Sequence, residues 1–240
     1  MELSARRLSA NTIKWIAVVA MLIDHIAWAF VPTYSVWGQL MHIVGRITAP
    51  IMCFFIAEGY AHTHNVKRYA CRLALFALIS QVPFTFFLTG QLRFVGSGLF
   101  LESVNVVYTL LLSLLAICVY DEIRNPILKT LAILGLCNLS VPGDWTFFDI
   151  LFTLVFWQNR GNFRRQAQAF SIVAAFIVFI DILSAGRQFY SQLFQAGVFL
   201  CLPILSLYSG ERGGGRYSKW TFYIFYPAHL LVLGILKLCI

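Results

Sequence analysis

Long apolar runs, bounded by charge or turn residues, repeat along the whole of this chain. A helix needs about 20 residues to cross the hydrocarbon of a bilayer. On that measure the runs predict about nine spans, near residues 13–31, 46–62, 69–88, 104–120, 126–141, 145–158, 166–184, 190–208 and 220–238. The fifth and sixth are short and meet at Val141, Pro142, Gly143 and Asp144, a turn signal. Tilting or re-entry of either gives a range of eight to ten. The expected fold is an all-α polytopic membrane bundle, with residues 1–240 forming a single transmembrane domain. No internal repeat interrupts it. The Gly-rich stretch from Ser209 to Arg216 reads as a flexible linker.

Composition sharpens this picture. Of the 240 residues, 60% are hydrophobic and 12% charged, against about 45–50% and 25% in soluble domains. Asp24 and His25 would interrupt the apolar core of a signal peptide, so the first helix is expected to stay. The net charge of +8 is unevenly placed. Of the 18 Lys and Arg, only Arg46, Arg93, Arg187 and Lys237 fall outside one alternating set of loops and helix ends. Positive residues favour the cytoplasmic side, so the N-terminus reads as cytoplasmic, and nine spans put the C-terminus outside. Topology accounts for the basic balance without nucleic acid. The 6 cysteines are scattered singly and read as small buried hydrophobes, with no metal site.

Candidate chemistry begins with Asp24 and His25 inside the first span. Ionisable groups at bilayer depth are costly and mark pathways or reaction centres. The plain alternative is interhelical hydrogen bonding. Lys14 lies eleven residues before His25 on the same helical face, about 16 Å away at the cytoplasmic boundary. Asp24 and His25 point about 100° apart, so His25 is expected to take its orienting partner from another helix. His229 lies at a similar depth in the last span, after Tyr226 and Pro227. Asp149, Asp181, Asn105 and Thr109 lie in the outer halves of their spans, as site lining or as structural hydrogen-bond partners. Arg46 opens the second span, either as an interfacial anchor or as a fork for a carboxylate or an oxyanion. Glu58 and His62, with His64, Lys67, Arg68 and Arg72, form a polar group on the inner side.

At these residues the sequence resembles the TraX family, named for the conjugative-plasmid enzyme that acetylates the N-terminus of pilin. The resemblance runs through Ile13, Lys14, Asp24 and His25, then Gly45, Arg46 and Pro50, then Glu58 and Gly59. Asn105 to Leu110 and Phe225 to Leu230 complete it, so it covers residues 13 to 235. The Lys14–His25 spacing is also similar to a pattern on the first helix of type-3 integral-membrane acyltransferases. The resemblance implies an acetyl-CoA-dependent N-acetyltransferase of the bacterial inner or plasma membrane. In that reading His25, Asp24 and His229 are catalytic. Lys14, Lys67, Arg68 and Arg72 receive the phosphates of acetyl-CoA, the co-substrate. Arg46, Asn105 and Tyr226 meet the substrate or its oxyanion. The partners are an acyl acceptor and membrane lipids. A proton-coupled secondary transporter with an Asp–His midplane site and a non-catalytic assembly partner are the alternatives.

Overall fold

The computed structural model describes residues 8–92, 103–215 and 218–239, the side chains of residues 218 and 219 excepted. Arg6, Arg7, Arg93, Arg216 and the side chain of Lys219, all used in the topology argument, lie outside the described residues. Helices dominate: α1 (Ala10–Phe30), α2 (Val36–Gly45), α3 (Thr48–His62), α4 (Val66–Thr89), α5 (Val106–Glu122), α6 (Pro126–Ser140), α7 (Phe148–Gln158) and α8 (Phe163–Ser184). A 3-10 segment, Gly186–Leu200, leads into α9 (Cys201–Ser206), and α10 is Ser218–Cys239. Among the described residues no strand forms, and the only bridges are Leu8 with Tyr208 and Val104 with Gly143. The protein is an all-α polytopic membrane protein.

Each of the nine expected segments contains a helix. Among the described residues, six stretches are long and apolar enough to cross a membrane: Ala10–Phe30, Val36–His62, Val66–Thr89, Phe163–Ser184, Gly186–Ser206 and Trp220–Cys239. α5, α6 and α7 are shorter, with 17, 15 and 11 residues. The start of the second span needs correction. Sequence reading begins it at Arg46, whereas helix already starts at Val36 and Arg46 is the C-cap of α2. The signal was Ser35, whose hydroxyl accepts the Gly38 N–H and caps α2. Ten residues are too few to span by themselves, so apolar run length does not bring out α2.

Caps explain most of the other helix starts. Ser9, Asn65, Asn105, Asn125 and Asn162 each accept a first-turn N–H. Such donors are expensive to leave bare near a bilayer. Gly90 ends α4 in the left-handed conformation, at φ 71°. Exposed Ile127, Leu128, Leu131 and Leu134 on α6 suit contact with lipid rather than water.

Two compact units make up the chain. One takes in the chain through Met52 together with Asn159–Phe225, and the other takes in Cys53–Gln158 and the chain from Tyr226 onward. In the first, α2 packs on α1 and on the 3-10 segment, which packs on α8. A Cβ on Gly197 would overlap the Ile43 backbone, so glycine is what lets the 3-10 segment lie directly on α2. Gln39 holds that segment in register: its Oε1 accepts from Phe194 N at 3.1 Å and its Nε2 donates to Ser191 O at 3.1 Å. In the second unit, α5 packs against α4, α6 and α7, with Leu112, Ala116, Ile150 and Leu154 at its core.

The Gly-rich stretch is docked rather than loose, which corrects the linker reading through residue 215. Ala10 N and Asn11 N donate to the carbonyls of Glu211 and Arg212, at 2.8 and 3.0 Å. The loop thereby caps α1 with its own backbone. These donors are spent, and an anion has no claim on them. Gly213 permits the approach, because its φ is +59° and a Cβ would overlap Ser9. Gly213→Ala should therefore undock the loop, at a cost of about 1 kcal/mol or more. Trypsin cleavage after Arg212 should accelerate in the variant while the spans stay protected.

Candidate functional site

The central feature of the first unit is a carboxylate buried inside a span. Asp24 is 7% exposed and sits on the fourth turn of α1. Its Oδ1 accepts from His42 Nδ1 at 2.7 Å, and its Oδ2 accepts from Arg46 Nη2 at 2.6 Å. His42 and Arg46 are four residues apart at the end of α2, so one helical face presents both. Arg46 supplies the positive charge that a buried carboxylate requires. Arg46 reaches this carboxylate through Nη2, one of the contacts that the sequence left open to it.

Space for this cluster comes from Gly45. A Cβ there would overlap Cβ, Cγ and Oδ1 of Asp24. His42, wholly buried, lies between aromatic rings, with centroids 4.5 Å from Trp28 and 5.0 Å from Phe194. The Arg46 guanidinium sits over Phe194 as well, 5.3 Å from its centroid. Because a carboxylate only accepts, His42 Nδ1 must carry the proton, which puts the neutral ring's lone pair on Nε2. That Nε2 is buried without a hydrogen-bond partner. Leaving such a group unsatisfied costs about 1–3 kcal/mol.

His25 is next to Asp24 in the chain, and one of its ring nitrogens is held within its own helix. Its Nδ1 donates to the Met21 carbonyl at 2.8 Å, one turn back on α1. The lone pair of the neutral ring is again on Nε2. Lys14 is partly buried on the same helix.

The remaining sequence candidates belong to the second unit. His229 and Tyr226 are buried on α10, with ring centroids 5.7 Å apart. The Tyr226 hydroxyl lies near the Val106 backbone without a hydrogen bond of normal geometry. Asn105 is committed elsewhere: Nδ2 donates to Ala77 O and Gln81 Oε1, both at 2.8 Å, and Oδ1 caps α5. An oxyanion role would need those donors back. Lys67, Arg68 and Arg72 occupy the first two turns of α4, the first two exposed and Arg72 over the Tyr69 ring at 5.1 Å. Glu58 pairs with His62 at 3.5 Å. Asp149 is fully buried, and its oxygens take hydrogen bonds from Thr109 at 2.5 Å and Cys53 at 3.4 Å rather than from a cation.

Sequence reasoning missed His42. Its signal was the four-residue spacing to Arg46 behind the Ser35 cap, hidden because the stretch was not read as helix.

These features define a multi-pass membrane protein with a carboxylate–imidazole–guanidinium cluster buried in its first unit. The family model described as TraX protein matches residues 9–237. The chain belongs to the TraX family, and so to the multi-pass membrane proteins of bacteria. It is 32% identical over 238 residues to a probable fimbrial assembly protein FimC, serogroup H1, of Dichelobacter nodosus, with 96% of each chain covered. An uncharacterized protein of Rickettsia prowazekii (strain Madrid E) is 35% identical over 72 residues, or 30% of this chain and 25% of that one. No solved structure matches.

Removing Arg46 leaves the Asp24 charge buried and uncompensated. Arg46→Ala should cost about 3–5 kcal/mol, and Arg46→Lys clearly less, in thermal unfolding of the detergent-purified protein. Gly45→Ala should destabilise by about 1–3 kcal/mol through overpacking and should change Trp28 fluorescence.

Proposed function

We propose that this chain is an acetyl-CoA-dependent N-acetyltransferase whose acceptor is the N-terminal amine of a pilin-like subunit. The observation that carries the reading is the buried Asp24 cluster, placed beside His25 and within a span. A charge pair at that depth is costly to maintain, and such groups mark reaction centres. Family membership supports the same chemistry. The fimbrial assembly name of the Dichelobacter nodosus relative supports a pilus-type acceptor.

In this reading the N-terminus is cytoplasmic and acetyl-CoA approaches from that side. Lys14 of the first unit is one candidate to receive its phosphates and Lys67, Arg68 and Arg72 of the second are others, each taken by itself, and the pantetheine arm extends into the protein. His25 Nε2 attacks the thioester carbonyl carbon. The C–S bond breaks, CoA leaves as the thiolate, and the acetyl group rests on the imidazole. The acceptor amine then displaces His25 and takes the acetyl group. Asp24 fixes the electrostatics of the site, and His229 and Tyr226 are the acceptor-side candidates of the second unit.

A proton-coupled transporter is the rival reading, and Asp149 is the observation that favours it. A wholly buried carboxyl held by a hydroxyl and a thiol is a group suited to carrying a proton. Proton flux in proteoliposomes, without CoA release, decides for transport.

The enzyme reading is tested by CoA-thiol release from acetyl-CoA, given with a short apolar peptide bearing a free N-terminal amine. Wild type should release CoA, and folded His25→Ala should lose at least about 10²-fold in rate. Undiminished release in His25→Ala sinks the role of His25. Wild type that neither binds acetyl-CoA nor releases CoA sinks the enzyme reading.

A further inference from the structure

The chemistry proposed for His25 leaves a proton without a destination. When an amine attacks an acetyl-imidazole, its nitrogen gains a C–N bond and must lose an N–H proton. His25 cannot receive it while its Nε2 carries the acetyl group and its Nδ1 is tied to Met21 O. A second base is required, and the first unit holds a second imidazole.

We infer that His42 is a catalytic residue, the base that takes the acceptor amine's proton through Nε2. The inference rests on the acetyltransferase reading and extends it. Four features of the first unit carry it. His42 Nδ1 donates to Asp24 Oδ1 at 2.7 Å, which fixes the tautomer and places a carboxylate against the imidazolium that forms. Nε2 is buried and makes no hydrogen bond, so its lone pair is not already spent. The ring is enclosed by Trp28 and Phe194, which keep water from competing for that lone pair. Arg46 shares the same carboxylate through its other oxygen and so holds Asp24 in place for His42.

Among the described residues, four charged or titratable groups are seen at this ring or its cluster. Asp24 and Arg46 form the cluster, His25 acts on Asp24 from α1, and Asp181 of α8 acts on Arg46. Trp28, whose ring centroid lies 4.5 Å from that of His42, is 47% exposed. The step balances. The amine nitrogen bonds to the acetyl carbon, its proton passes to His42 Nε2, and the bond from the acetyl carbon to His25 Nε2 breaks. His25 is left neutral, and His42 returns its proton to the solvent or to the CoA thiolate.

The two half-reactions can be read separately. Exchange of label between CoA and acetyl-CoA reports acetyl movement onto and off His25 and needs no second base. Transfer to the peptide amine needs both histidines. His42→Asn keeps an amide N–H where Nδ1 donates to Asp24 but has nothing at the Nε2 position. His42→Gln is the second variant should the first not fold, with folding judged by gel filtration and thermal unfolding in detergent. In the folded variant, label exchange should stay near the wild-type rate while transfer falls by about 10²–10⁴-fold. Transfer near the wild-type rate overturns the assignment. So does equal loss of exchange and transfer in folded protein, which makes His42 a support for Asp24 alone. A wild type that shows neither exchange nor transfer brings down the acetyltransferase reading itself.

Discussion

A carboxylate inside a membrane span has to be paired, and the first unit is organised around pairing Asp24. Water and lipid cannot supply a counter-charge at that depth. The protein supplies it from α2, the first part of the Val36–His62 stretch, whose C-terminal end delivers His42 and Arg46 together. Gly45 leaves room for the Asp24 side chain. Gly197 lets the 3-10 segment lie against α2, and Gln39 fixes its register so that Phe194 closes over both His42 and Arg46. Two glycines, one amide and one aromatic ring thus serve a single ion pair.

The second unit treats buried polarity differently. Asp149 is met by a hydroxyl and a thiol, and Asn105 by a carbonyl and a carboxamide. Asn105 caps α5 with the same side chain. These contacts satisfy hydrogen-bonding groups without gathering opposite charges. That contrast is why the proposed acid–base chemistry is placed at the Asp24 cluster, where a carboxylate, an imidazole and a guanidinium share one small volume.

The proposed division of labour between His25 and His42 follows from what holds each ring. A backbone carbonyl anchors His25 and adds no formal charge, so a neutral nucleophile suits it. A carboxylate anchors His42, and a carboxylate stabilises the cation that proton uptake creates. The docked loop at the start of α1 adds a constraint at the inner end. Its carbonyls occupy the first donors of that helix, so no anion can take them.

Much of this was written in the order of residues. Apolar run length is a local property, so the all-α membrane class and nearly every helix could be read directly. The family resemblance, carried by short motifs, was equally local, and Asp24, His25 and Arg46 stood out because ions are rare in apolar runs. The tertiary structure decided the pairing. Whether Arg46 anchors at an interface or binds a carboxylate depends on what lies across from it, and that is a long-range contact. His42 was hidden for the same reason: a histidine in a ten-residue stretch gains meaning only when α2 folds onto α1. The Gly-rich stretch gave a composition typical of linkers, yet its carbonyls found the unpaired donors of a helix about 200 residues earlier. Sequence fixes which groups must be satisfied, and only the folded chain determines which of them satisfy one another.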